Sequence, residues 1–158
     1  MYKGTSASAG IGIGKAVIVE EAELVITRQA VSDGEAEIQR FKGALEQTIK
    51  DTERLAEDLA VRVGEKEAEI MQGHMMLLSD PMLTGEIENS IKNDGVNSEF
   101  AIENVCNMYA DMFASMGDEL MQQRATDMRD IKTRMQRVLM GIQSVDISSL
   151  PAGSILVA

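Results

Sequence analysis

The sequence predicts a mainly α protein, a helical bundle set between two short strand-forming ends. Three observations carry this. Apolar residues recur at three-to-four spacing from about residue 32 to residue 141, with no strand signal between. β-Branched residues dominate only near the two ends of the chain. The links between the periodic stretches are short and carry Gly or Asp-Pro, which favours antiparallel helical neighbours. At 158 residues there is room for one well-buried core, and with 3% aromatics and no Trp that core must be aliphatic.

In order along the chain, Ile11, Ile13 and Ala16–Val19 are spaced by Gly10, Gly12 and Gly14, which predicts a glycine-loosened strand over Ile11–Val19. A shorter strand is predicted at Leu24–Thr27. Ser32-Asp33-Gly34-Glu35 fits a capping box, with Ser32 as N-cap and Glu35 reaching back. Behind it Ile38, Phe41, Leu45, Ile49, Leu55 and Leu59 mark an apolar stripe until Gly64 stops the helix. A second helix is predicted from Glu65 to Leu78. A third starts with Asp80 as N-cap and Pro81 at the first helical position, buries Leu83, Ile87 and Ile91, and ends at Asn93-Asp94-Gly95. The fourth carries Ala101, Val105, Met108, Met112 and Met116 to Gly117, and core is the expectation for these methionines. The fifth carries Met121, Ala125, Met128, Ile131, Met135 and Val138 to about Gly141. Pro151, Gly153 and Ser154 then turn the chain into a strand at Ile155–Ala158. Two isolated strands are marginal in water, so a bundle inserted into one sheet is a better reading than three consecutive domains.

Composition narrows the function classes. Acids outnumber bases 26 to 15, for a formal charge of −11. Nucleic-acid binding needs Lys and Arg against phosphates, so a protein partner is the better expectation. The longest apolar runs, such as Met75–Leu78, are far short of the ~20 residues a membrane helix needs, and the opening residues lack the pattern of a signal peptide. A cytoplasmic protein is expected. One cysteine, Cys106, and one histidine, His74, leave no Cys/His cluster for zinc.

The glycine run Gly10-Ile11-Gly12-Ile13-Gly14-Lys15 fails as a phosphate loop, because Ala9 and Ala16 stand where Gly and Ser or Thr are needed. It fails the dinucleotide fingerprint too, because Lys15 and Val17 stand where a third Gly is needed. A strand that another backbone approaches closely is the better reading. His74 falls within about 60° of Ile70 and Leu77 on its helix, the apolar side, which suits a packed, hydrogen-bonded structural histidine. Cys106, beside Val105, reads as a core thiol. Met76 and Met82 are different. Met76 shares its face with Glu65, Glu69 and Gln72, and Met82 with Glu86 and Asn89. Flexible apolar side chains on an acidic surface suit a face that repacks against a partner. Of the cations Arg124, Arg129, Lys132, Arg134 and Arg137 on the fifth helix, most are expected to pair with nearby acids or cover helix surface, leaving one or two for a partner's carboxylates.

Several motifs in order resemble one family. Ser8-Ala9-Gly10-Ile11-Gly12-Ile13-Gly14-Lys15-Ala16 is similar to the SPGIAxGKA start of enzyme I, the phosphoenolpyruvate–protein phosphotransferases of the bacterial sugar phosphotransferase system. Gly73-His74-Met75-Met76-Leu77-Leu78-Ser79-Asp80-Pro81 resembles its GHxMLLEDP segment. Asp118-Glu119 with Arg124-Ala125-Thr126-Asp127-Met128-Arg129-Asp130-Ile131 resembles DE…RAADVRDI, and Asp146-Ile147-Ser148-Ser149-Leu150-Pro151 into Ile155-Leu156-Val157-Ala158 resembles DLSSLP…ILVA.

The resemblance implies a helical subdomain, residues 24–143, inserted into an α/β phosphohistidine subdomain that is represented here by 1–23 and the truncated start of the return, 144–158. It implies that the helical part docks the phosphocarrier HPr, with Glu65, Met76, Leu77, Leu83, Phe113, Met121 and Arg124 at the HPr-facing positions. Lys66 and Ser79 stand where many relatives carry acids, so the charged rim is expected to be weaker or shifted. Ala9 replaces a family proline. The family's phosphorylated histidine belongs to a GGRTSH motif that this chain does not contain, so no catalytic residue is expected in it. Magnesium, and dimerisation through a carboxy-terminal domain, are implied only for the whole enzyme. The alternative is a stand-alone acidic interaction module with no catalytic activity.

Overall fold

A computed structural model describes residues 10, 12–18, 24–62, 64–142, 151 and 153–157. The chain divides into two units, Leu24–Gln143 and a second made from the two ends, Met1–Glu23 with Ser144–Ala158. Among the described residues of the first unit there are five helices: α1 (Gly34–Arg62), α2 (Glu65–Leu78), α3 (Pro81–Asp94), α4 (Ser98–Ser115) and α5 (Glu119–Leu139). The protein is mainly α, as the periodicity predicts.

Local chemistry sets the helix ends. The Asp80 carboxylate accepts from the Met82 N–H at 2.8 Å with Pro81 at the first helical position, so α3 starts as predicted. The same device starts α5, where Asp118 accepts from the Met121 N–H at 3.0 Å. Gly95, at φ 60°, ends α3 in the left-handed region that suits glycine. The start of α1 differs from expectation. Asp33, not Ser32, is the N-cap, accepting from the Ala36 N–H at 3.0 Å. That register places Ala36 rather than Glu35 at the third helical position, so no capping box forms. Glu37 instead reaches across to the Ser98 N–H at 2.8 Å, at the start of α4.

The core is continuous and mainly aliphatic, with Phe41 its one fully buried aromatic among the described residues. Ile38 and Phe41 of α1 meet Leu83, Ile87 and Ile91 of α3, Ile102 and Cys106 of α4, and Met128, Ile131 and Met135 of α5. The stripe of α1 continues through two buried threonines, Thr48 and Thr52, whose hydroxyls donate to the carbonyls of Ala44 and Thr48 at 2.8 and 2.6 Å. Further along, Leu55 is 39% exposed. Packing is densest between α4 and α5. There Glu103 accepts from Lys132 at 3.0 Å, Gln136 at 2.7 Å and Asn107 at 3.0 Å. Burial pushes the Glu103 carboxyl upward, but these donors outweigh it and hold the group below the usual glutamate value.

Met108, Met112 and Met116 are not core: they are 54%, 42% and 55% exposed. The buried side of α4 runs instead through Ala101, Ile102, Val105, Cys106 and Ala110, with Tyr109 and Phe113 packed partly against the core. At 18 residues α4 is longer than the 14-residue α3.

The strand predicted at Leu24–Thr27 does not form. Its β-branched residues have no partner strand among the described residues, and β-propensity without pairing does not make a strand. Only Ala30 bridges, antiparallel to Val96. The segment is tied down by the Gln29 N–H on the Asn97 side-chain oxygen at 2.9 Å and the Val31 N–H on the Gly95 carbonyl at 2.9 Å.

In the second unit β1 (Lys15–Ile18) pairs in parallel with β2 (Ser154–Val157), Lys15 opposite Ser154. A Cβ on Gly14 would overlap the Gly153 carbonyl oxygen, so glycine here allows another backbone to approach, as expected. Ile11, Val19, Ala158 and the Asp146–Leu150 motif lie outside the described residues.

Candidate functional site

Helix α2 buries Ala68, His74 and Leu78 and turns Glu65, Glu69, Gln72 and Met76 outward. Met76 is 69% exposed, so the sequence phase is right: an unbranched apolar side chain stands on a polar, acidic face. Ile70 is 44% exposed rather than buried with His74. Leu77 is half-buried against the core.

Helix α5 reaches the same face through Arg124. Its Nη1 lies 3.8 Å from Asp127 Oδ2, and a Cβ built on Gly73 of α2 would stand only 2.9 Å from that same Nη1. The guanidinium thus lies against the bare backbone of α2, one helical turn before Met76. Glycine inside a helix costs about 1 kcal/mol relative to alanine, and here the space it leaves is filled by Arg124. On the other side of Asp127, His74 Nε2 stands 3.3 Å from Oδ1. The His74 ring is 3% exposed, but among the described residues neither of its nitrogens has a hydrogen-bond partner. It is packed, as expected, but it is not the hydrogen-bonded histidine expected.

The remaining expected positions divide. Met121 and Phe113 are half-buried and Glu65 is exposed; Phe113 meets Tyr109 with ring centroids 6.3 Å apart. Burial pushes the Tyr109 hydroxyl upward, and the charges of Glu86 and Asp80 add to it. Leu83 is a correction. At 2% exposure it belongs to the core with Ile87 and Ile91, because the phase of α3 that exposes Met82 at 69% turns Leu83 inward. It supports the face from beneath and offers no surface to a partner. Sequence reading missed the apolar surface at the α4–α5 turn, where Met112, Met116 and Leu120 are exposed, Leu120 by 60%. The signal was present, since Gly117-Asp118 marks a helix boundary beside them.

The cations of α5 are mostly engaged: Lys132 with Glu103 at 3.0 Å, Arg129 with Asp111 at 4.0 Å. The face combines exposed methionines, an acidic surround and one accessible guanidinium, a composition for binding rather than bond-making. Cys106 is buried, and burial pushes its thiol up to about 12, which removes it as a nucleophile. Among the described residues no group of three or more His, Cys, Asp or Glu could hold a metal ion, and no helix is long and apolar enough to cross a membrane.

Residues 3–124 match the family model of the PEP-utilising enzyme N-terminal domain. The chain is 37% identical over 156 residues to the phosphoenolpyruvate-protein phosphotransferase of Bacillus subtilis (strain 168), covering 99% of this chain and 27% of the relative. It is 40% identical over 140 residues to that of Listeria monocytogenes, covering 89% of this chain and 24% of the relative. The chain thus spans about a quarter of the length of these relatives. The solution structure of an Enzyme I protein, nEIt, superposes with a TM-score of 0.90 at 36% identity, over 99% of this chain and 64% of that one. The N-terminal domain of Enzyme 1 - Nitrogen superposes at 0.74 with 26% identity, over 91% of this chain and 59% of that one.

Proposed function

The chain belongs to the family of PEP-utilising enzyme N-terminal domains, and from that premise we propose that its helical unit is the docking platform of a phosphoenolpyruvate–protein phosphotransferase for the phosphocarrier HPr. One observation carries the reading: Met76 stands outward on the acidic face of α2, one helical turn from Gly73, where the Arg124 guanidinium lies. An exposed methionine adapts to a partner's apolar surface, while the cation fixes register against a partner carboxylate. Met76, Leu77, Met121, Phe113, Glu65 and Arg124 supply the contact face, and Leu83 backs it from the core. The acidic surround suits a partner that presents basic groups.

In this reading the chain contributes recognition, and the phosphoryl group travels through a histidine in a GGRTSH motif that the 158 residues do not include. Magnesium and phosphoenolpyruvate then act with the whole enzyme, as does any dimerisation. The named relatives disfavour an interaction module without enzymatic kin. The stronger likeness to Enzyme I than to Enzyme 1 - Nitrogen supports the sugar-uptake branch.

Calorimetric titration of HPr tests the proposal. Met76→Asp should weaken binding at least about tenfold, or ~1.4 kcal/mol, because a carboxylate would be desolvated among acids. Its Tm should stay close to that of the unmodified chain, as for other exposed substitutions. Arg124→Glu should weaken binding in a salt-dependent way. Unchanged affinity in Met76→Asp would place the docking face elsewhere.

A further inference from the structure

We propose that Gly73 and Asp127 form a seat that holds the Arg124 guanidinium in its docking orientation, so that both are positioning residues acting through Arg124; this rests on the docking reading above. Gly73 lies inside α2, outside the set of glycines with positive φ, so the backbone itself has no need of glycine there. Two other glycines inside helices, Gly43 and Gly85, face open space where a Cβ would go. Gly73 does not: the added carbon would meet Arg124 Nη1 at 2.9 Å, closer than a carbon and a nitrogen normally approach, and Asp127 Oδ2 at 3.7 Å.

The guanidinium is therefore held on two sides, by the uncovered backbone of α2 and by a carboxylate whose side chain is only 10% exposed. Asp127 itself stands between Arg124, at 3.8 Å, and the buried His74 ring, at 3.3 Å. An arginine on an exposed surface samples many rotamers, and binding must freeze them. One already held against a neighbouring helix, yet still 29% exposed, meets its partner with that ordering done. Glycine at 73 serves Arg124 rather than α2.

The test is a double-mutant cycle in the full chain, read by HPr titration and by Tm. Gly73→Ala should leave Tm unchanged or raise it, as Gly43→Ala and Gly85→Ala should, because alanine is the better helix former. Unlike those two, Gly73→Ala should weaken HPr binding by about threefold to tenfold. In an Arg124→Ala background the same substitution should cost no further affinity. Where Arg124→Ala itself weakens binding, full affinity in Gly73→Ala, or an equal loss in both backgrounds, overturns the inference. A readout in the free chain separates it from the docking reading: NMR of the Arg124 side-chain Nε–H should show faster motion in Gly73→Ala and in Asp127→Asn. An Arg124 side chain equally ordered in both variants overturns the seat, whatever HPr does. If Arg124→Ala binds HPr normally while the NMR change is seen, the docking reading fails and the seat stands.

Discussion

Two adjacent residues, Met82 and Leu83, show how much one step along a helix decides. Met82 is 69% exposed and Leu83 2%, although both are unbranched at Cβ and similarly apolar. Leu83→Ala should therefore cost about 2–5 kcal/mol of folding stability, the range for emptying a buried leucine site. Met82→Ala should stay within about 0.5 kcal/mol. Paired urea unfolding curves check this, and a mild Leu83→Ala would return that side chain to the surface. The sequence held two conflicting readings of Leu83: family resemblance put it at the partner, and the spacing Leu83-Ile87-Ile91 put it inside. Helix phase prevails because burial follows from local geometry alone. The grouping of Gly73, His74, Arg124 and Asp127 was not legible in the same way. It is a contact between two helices distant in sequence, and no spacing rule reports it.

Helix ends were legible where a single side chain decides them and less so where neighbours compete. Asp80-Pro81 fixed α3 without ambiguity, because proline allows only one register there. Ser32 and Asp33 compete at the start of α1, and the carboxylate that accepts from Ala36 wins. Asp33→Ala should lower stability by about 0.5–2 kcal/mol, while Ser32→Ala should change it by a few tenths at most; thermal melts of both place the cap. The long stripe of α4 misled for a different reason. Methionine and Tyr109/Phe113 both recur at helical spacing, so either set could face the core. What decides is which face the neighbours cover: Ala101, Ile102, Val105, Cys106 and Ala110 turn inward and leave Met108 and Met112 outside, and a single helix's pattern does not say which of its faces is covered.

On the scale of the molecule, most of the core lies in the helical unit, and the described strands of the other unit are a single parallel pair four residues long. A two-stranded sheet has little stability of its own. The dependence between the units should therefore run one way. Gly14→Ala, which drives a methyl into the Gly153 carbonyl, should abolish amide protection in β1 and β2 while the helices keep theirs. Ile87→Ala, warmed past its own Tm, should release helices and strands together. Hydrogen exchange reads both outcomes, and strands that outlast the helices would reverse this order. A cleft of about 410 Å³ is lined by Val25 and Ile26 on one side of the sequence and Met140 on the other. Both exits of the bundle are therefore close in space. Ring-closure entropy grows with the logarithm of the free chain between the joined ends. Once the bundle has formed, its own residues no longer count in that ring. Pairing β1 with β2, the most non-local strand pairing among the described residues, then becomes a short-range event that waits only for the helices to assemble.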